Sequence, residues 1–325
     1  MFGLNFLSTA PSKSISKTTT HRKPPFLFGK GIIAGYILGG NATAGKSTAI
    51  DKLDFSSLTR TVLSAVLTTG RYEMAGMANE GVAGYSGGGY DTNYISAIDR
   101  LDLAAETKTT LATGSLSSAR QNLSAMANSG TAGYFGGGFN GSRLDVINRL
   151  AFPAETVSTI ASLASTITDQ AAMANSGTAG YFGGGNTGSY SNVIQKLSFP
   201  AESRTTVSTA TLTSARASLG AMANSGVAGY FMAGYDGGYL SATDKLTFSS
   251  ETKTVLGTAL SSSVVNNVGM ANSGTAGFSC GGSDTLDYVN TINQIAFPSD
   301  TVTTAGATLS TARQNSSAFG NSGTL

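Results

Sequence analysis

The chain is 325 residues long, carries 20 basic against 18 acidic residues, and is 40% hydrophobic but only 12% charged, about half the charged share of an average globular protein. Its 42 glycines exclude long helices, because an interior glycine costs roughly 1 kcal/mol relative to alanine, and its apolar content at such low charge excludes a disordered chain. A single cysteine, Cys280, and a single histidine, His21, exclude an internal disulfide and the usual zinc and histidine-based catalytic centres, so neither a metal nor a cofactor is expected. Short strands joined by glycine-rich turns remain.

In chain order, residues 1–30 stand apart. They hold Pro11, Pro24 and Pro25, a Ser/Thr-rich run, and five basic residues (Lys13, Lys17, Arg22, Lys23, Lys30) with no acid. The start lacks the layout of a secretory signal, and no apolar run approaches a membrane span, so membrane insertion is not expected. Five spread charges without a recognisable module argue against nucleic-acid binding. Phe2, Leu4, Phe6 and Leu7, then Phe26, Leu27 and Phe28, instead read as the apolar anchors of a docking arm.

Next, Gly40-Asn-Ala-Thr-Ala-Gly45-Lys46-Ser47 matches the spacing of a nucleotide-binding P-loop. A phosphate cradle needs a helix to open directly after the lysine. The segment Ala49-Ile-Asp-Lys-Leu-Asp-Phe55 instead parallels Ala97-Ile-Asp-Arg-Leu-Asp-Leu103 and Val193-Ile-Gln-Lys-Leu-Ser-Phe199. All three read as strands, so the motif is predicted to be a loop, and no catalytic residue is assigned.

The remainder repeats. Gly-Thr-Ala-Gly-Tyr-Phe-Gly-Gly-Gly occupies 130–138 and 177–185, with weaker copies at 31–40, 81–89, 226–234 and 274–282. Its aromatic residue falls at Tyr36, Tyr85, Tyr134, Tyr181, Tyr230 and Phe278, at intervals of 49, 49, 47, 49 and 48. Six units of this period, each offering four short strands, predict propeller blades. In the third unit the strands are predicted over 123–127, 131–135, 144–152 and 156–163. Asn-Ser-Gly suits the first hairpin turn, and Pro153, Pro200 and Pro298, each after Phe, open the turn between third and fourth strands. Glu106, Glu155, Glu202 and Glu251 recur in that turn, which fits turn structure and solubility better than acid–base chemistry, needed at one place only. Residues 312–325 read as a first strand without a second, and 31–68 as three strands without a first. Joined one plus three, they complete the sixth blade and leave no open edge.

A glycine pair ending the second strand, an aromatic before it and an arginine opening the first strand (Arg71, Arg120, Arg216, Arg313) resemble kelch repeats over residues 31–325, although the kelch tryptophan is missing from every unit. The resemblance implies an all-β, six-bladed kelch-like β-propeller with four-stranded antiparallel blades, closed by the C-terminal strand, behind the extended basic arm of residues 1–30. That ring holds 15 basic and 18 acidic residues, a net charge of −3.

Alternating strand direction would put the loops after second strands, and those between units, on one face. The candidate binding residues there are Tyr90, Asp91 and Tyr94; Phe139 and Asn140; Asn186 and Tyr190; Tyr235, Asp236 and Tyr239; and Asp284 with Tyr288. Aromatic rings beside carboxylates and amides suit sugar or protein recognition; ordinary polar loops with a few tyrosines are the alternative. The four arginines are placed on this face too, or else bond loop carbonyls between blades. Near-identical, charge-poor units resemble the repeat proteins of tailed-phage virions, such as tail fibre and baseplate components. That resemblance implies a non-enzymatic virion structural protein, docked on other virion or assembly proteins through residues 1–30, with its loop face towards a host-surface glycan or protein. A secreted or cell-surface binding module is the second reading, and an enzyme with its site at the channel mouth the third.

Overall fold

The computed structural model describes residues 33–322. The expectations for the arm, its seven apolar anchors and its docking therefore lie outside the described residues. Within them every element is a strand, so the chain is all-β, and its four-stranded antiparallel sheets are consistent with a β-propeller-like fold.

The repeat count predicts six sheets, and the described residues form seven. Six have four strands, and a small seventh has three strands of two residues, Arg313–Gln314, Asn41–Ala42 and Gly45–Lys46. Other units build the same ladder from single bridges, such as Tyr72↔Tyr90↔Tyr94, or Val265↔Ser283↔Tyr288. In the first unit two successive residues pair on each strand instead of one, which makes a sheet of it. The third unit runs Ser124–Asn128, Ala132–Gly136, Ile147–Ala151 and Thr156–Ile160. Its third strand starts later than predicted, because Leu144 is taken by a bridge to Ile167 in the loop that leads to the next unit.

Both ends of the described chain meet in one sheet. Ser317–Asn321 pairs with Ala34–Leu38, Phe319 opposite Tyr36, beside Ile50–Asp54 and Arg60–Val62. First strands lie side by side in chain order, Ala75–Asn79 against Ser124–Asn128, then Ala171–Asn175, Gly220–Asn224, Val268–Asn272 and Ser317–Asn321, which adjoins Ala75–Asn79.

The core lies between sheets. Six apolar clusters each draw on two consecutive sheets. Sheets covered on both faces bury every residue of a second strand, as in Ala132–Gly136, whereas first strands alternate between buried and half-buried positions. The inner glycine of Ala-Gly-Tyr follows from this stacking. Met77, Met126, Met173, Met222 and Met270 lie so close to Gly133, Gly180, Gly229, Gly277 and Gly35 of the next sheet that a Cβ would overlap the side chain. Only hydrogen fits.

Five of the interfaces add a polar latch. Tyr36, Tyr85, Tyr134, Tyr181 and Tyr230 donate to Glu106, Glu155, Glu202, Glu251 and Asp300 of the next sheet at 2.8–3.0 Å. Directly across the strand pair from each tyrosine stands Lys52, Arg100, Arg149, Lys196 or Lys245. Each of these cations reaches the same carboxylate at 2.5–2.8 Å. The carboxylates project from turn residues held at φ between +48° and +57°. Burial first, then the bound carboxylate, push the tyrosine hydroxyls up, that of Tyr134 to about 12. These acidic residues join neighbouring sheets, a role that turn structure and solubility did not capture.

Candidate functional site

The two ends of the sheets use their polar groups differently. At the end carrying the Asn-Ser-Gly turns, four asparagines accept from a glycine N–H of the following sheet: Asn79 from Gly130, Asn128 from Gly177, Asn175 from Gly226 and Asn224 from Gly274, at 2.8–2.9 Å. The serines continue the chain, the N–H of Ser129 bonding Ser176 Oγ and that of Ser176 bonding Ser225 Oγ, both at 3.1 Å. Only the glycine of the turn adopts a positive φ, as at Gly130 (+77°), so the asparagine serves the neighbouring sheet rather than the hairpin.

At the other end the bridged ladders bring aromatic residues together. Tyr72, Tyr90, Tyr94 and Phe139 stand edge to face in a row, with centroids 5.9, 5.5 and 6.1 Å apart. Lys46, from the small sheet, lies over the rings of Tyr72 and Tyr90 at 5.9 and 5.6 Å, within cation–π range. Tyr190, Tyr235 and Tyr239 form a second cluster with spacings of 5.9 and 5.7 Å. Tyr288 lies near enough to Tyr72 to act on its hydroxyl through space, and its own hydroxyl accepts from Asn41 Nδ2 at 3.0 Å. Asp91 and Asp236 shape their own hairpin tips, Asp91 accepting from the N–H of Asn93 and Asp236 from that of Gly238. Backbone N–H groups of Asn93 and Thr92 hold the Asp91 carboxyl below the usual carboxylate range. Asn140 is exposed at the tip of its loop.

Sequence reasoning missed Tyr72 and Lys46. Tyr72 directly follows Arg71, and Lys46 belongs to the segment with P-loop spacing. That segment is a hairpin, in which the Ser47 N–H bonds back to the Gly40 carbonyl at 2.8 Å, and the strand Ile50–Asp54 comes next where a P-loop needs a helix.

The four arginines are not presented on the surface. All are buried. Arg71 pairs with Asp99, Arg216 with Asp244 at 3.1 Å and Arg313 with Asp51 at 2.8 Å, each tying the start of a first strand to the third strand of its own sheet. Arg120 faces an amide instead, donating to Asn148 Oδ1 at 2.9 Å, and burial pulls its guanidinium down to about 10.

Two residues after each arginine, or its equivalent, lies a circuit the repeat did not announce. Glu73, Asn122, Asp169, Ser218, Asn266 and Asn315 all hold φ between +53° and +59°. Each N–H bonds the carbonyl of the preceding member, and Glu73 bonds that of Asn315, all at 2.8–3.1 Å. These residues line an open cavity of about 110 Å³ at the centre of the loop face. Burial, and secondarily Asp169, push the Glu73 carboxyl up to about 7, and burial raises Asp169 as well. Side-chain identity varies around the circuit while the backbone does not, so a search for repeated letters passes over it.

No protein-family model matches the chain, and neither does any curated protein.

Proposed function

We propose that the chain is a closed, six-bladed, kelch-like β-propeller serving as a non-enzymatic structural component of a tailed-phage virion. In this reading residues 1–30 dock it on other virion or assembly proteins, and the loop face meets a host-surface glycan or protein. The six-blade reading is supported by the cyclic succession of first strands and by the circuit of six backbone hydrogen bonds. The small seventh sheet belongs to the loop face of the first blade.

The observation that carries the functional reading is the concentration of aromatic rings on that face, in two edge-to-face clusters with Lys46 over one of them. Tyrosine offers a flat apolar face for sugar C–H groups or a partner's side chains, with a hydroxyl at its edge for hydrogen bonding. The opposite end uses its amides and hydroxyls to hold sheets together.

Replacing Tyr90, Tyr94, Tyr235 and Tyr239 by alanine is expected to abolish binding of the purified protein to a glycan array or to host cells. Undiminished binding sinks the loop-face reading. Deleting residues 1–28 is expected to abolish incorporation into particles while the sheets stay folded; retained incorporation sinks the docking role. A secreted or cell-surface binding module is the second reading, favoured by the same aromatic clusters. It predicts unchanged ligand binding and no particle association at all.

A further inference from the structure

We propose that the central cavity of the loop face is a binding site for a hard divalent cation of the calcium class, held by Glu73 and Asp169 with amide and hydroxyl oxygens of Asn122, Ser218, Asn266 and Asn315. The cavity is lined by one residue from each unit of the circuit, together with the residues that follow them. Because the circuit occupies their backbone N–H groups, side chains are what these six positions offer a ligand. Two are carboxylates, three are amides and one is a hydroxyl. Oxygen donors without imidazole or thiolate select calcium or magnesium over zinc and copper.

The carboxylates also lack a counter-ion. Among the described residues neither Glu73 nor Asp169 takes part in an ion pair. Glu73 Oε2 is buried and receives no hydrogen bond. Asn267, which also lines the cavity and is only 4% exposed, has an Oδ1 that likewise receives none. Asp169 Oδ2 accepts from Thr168 Oγ1 at 2.6 Å, and Arg143 acts on it only through space, its guanidinium donating to Asn186. The fully buried carboxylates of Asp51, Asp99 and Asp244 each have an arginine instead. A bound cation would supply at the centre what those arginines supply in the sheets. No cluster of three or more His, Cys, Asp or Glu side chains occurs among the described residues, so neutral oxygens must complete the shell. With two charged ligands the affinity belongs in the range of extracellular calcium modules, about 10⁻⁴–10⁻³ M.

Isothermal titration of the full chain with CaCl₂ at constant ionic strength tests this. One saturable site per chain is expected, with a rise in Tm that NaCl of equal ionic strength does not reproduce. Glu73→Gln and Asp169→Asn should each weaken binding at least tenfold, whereas Glu80→Gln, at the opposite end of the sheets, should leave it unchanged. Asn266→Asp adds a third carboxylate and should tighten binding about tenfold, which keeps the test decisive if a charge-removing variant fails to fold. Absence of saturable binding up to about 10 mM calcium, or unaltered binding in the Glu73→Gln/Asp169→Asn double variant, overturns the proposal.

Discussion

Among the described residues, five of the six interfaces between four-stranded sheets carry the tyrosine latch, and the sixth carries none. Where the others place a tyrosine, a cation and a carboxylate, the interface between the Val268–Asn272 sheet and the sheet that joins the chain ends places Phe278, Gln294 and Leu58. The frame is kept: Gln294 stands opposite Phe278, and Leu58 holds φ +53° like the glutamates. Phe278 stacks on Phe55 at 5.0 Å, as Tyr134 does on Phe199 at 5.3 Å. The hydroxyl, the cation and the carboxylate are absent together. A half-buried carboxylate with no donor, or a hydroxyl with no acceptor, is worse than an apolar contact, so the three act as one unit that is present whole or missing whole.

The comparison can be broken most forcefully at its apolar member. Phe278→Ala is expected to cost about 3–5 kcal/mol in urea unfolding, because the cavity opens between two sheets that lack the tyrosine latch. A loss no larger than that of a latch variant would mean that this interface is not held by packing. At a latched interface, Glu202→Ala strands the hydroxyl of Tyr134 and the guanidinium of Arg149, and should cost about 1–3 kcal/mol. That loss should shrink as salt screens the half-exposed pair, whereas the loss from Phe278→Ala should not change with salt. Tyr134→Phe, which removes one hydrogen bond and keeps the ring stack, should cost about 0.5–1.5 kcal/mol. The smallest effect is expected for installing the whole latch at the sixth interface. Leu58→Glu, Phe278→Tyr and Gln294→Lys together should fall within about 1 kcal/mol of the parent, while Leu58→Glu alone should be more damaging than the triple change. Additive single effects would show that the latch is no unit.

The latch also marks where the sequence was legible and where it was not. The spacing of the aromatic residue exposes the units, because the packing of Met126 on Gly180 recurs at five interfaces, with Phe319 on Gly84 at the sixth. Relations between units are written at a longer range. Tyr85 and Glu155 are 70 residues apart, as are Tyr181 and Glu251, while Tyr134 and Glu202 are 68 apart, an offset longer than one unit that alignment of single units does not display. The loop-face tyrosines were legible as aromatic residues at loop positions, but their grouping depends on which ladders adjoin, and Tyr72 with Lys46 enters only through that adjacency. The arginines could be read either as presented on the loop face or as structural; burial decides for structure, with Asp51, Asp99 and Asp244, in their own sheets, as partners of three of them. The central circuit was least visible, since hydrogen bonding between backbones leaves the side chains free to differ.

The pairing of Ser317–Asn321 with Ala34–Leu38 sets a schedule for synthesis. Ala34–Leu38 is buried at every residue in the finished molecule, yet its partner is made last among the described strands. At about 5–20 residues per second the early strand waits on the order of tens of seconds with one edge unpaired. A product cut short before residue 317 keeps that edge open. Only chains translated through residue 321 therefore cover that edge of Ala34–Leu38, and shorter products are expected to be the ones that aggregate.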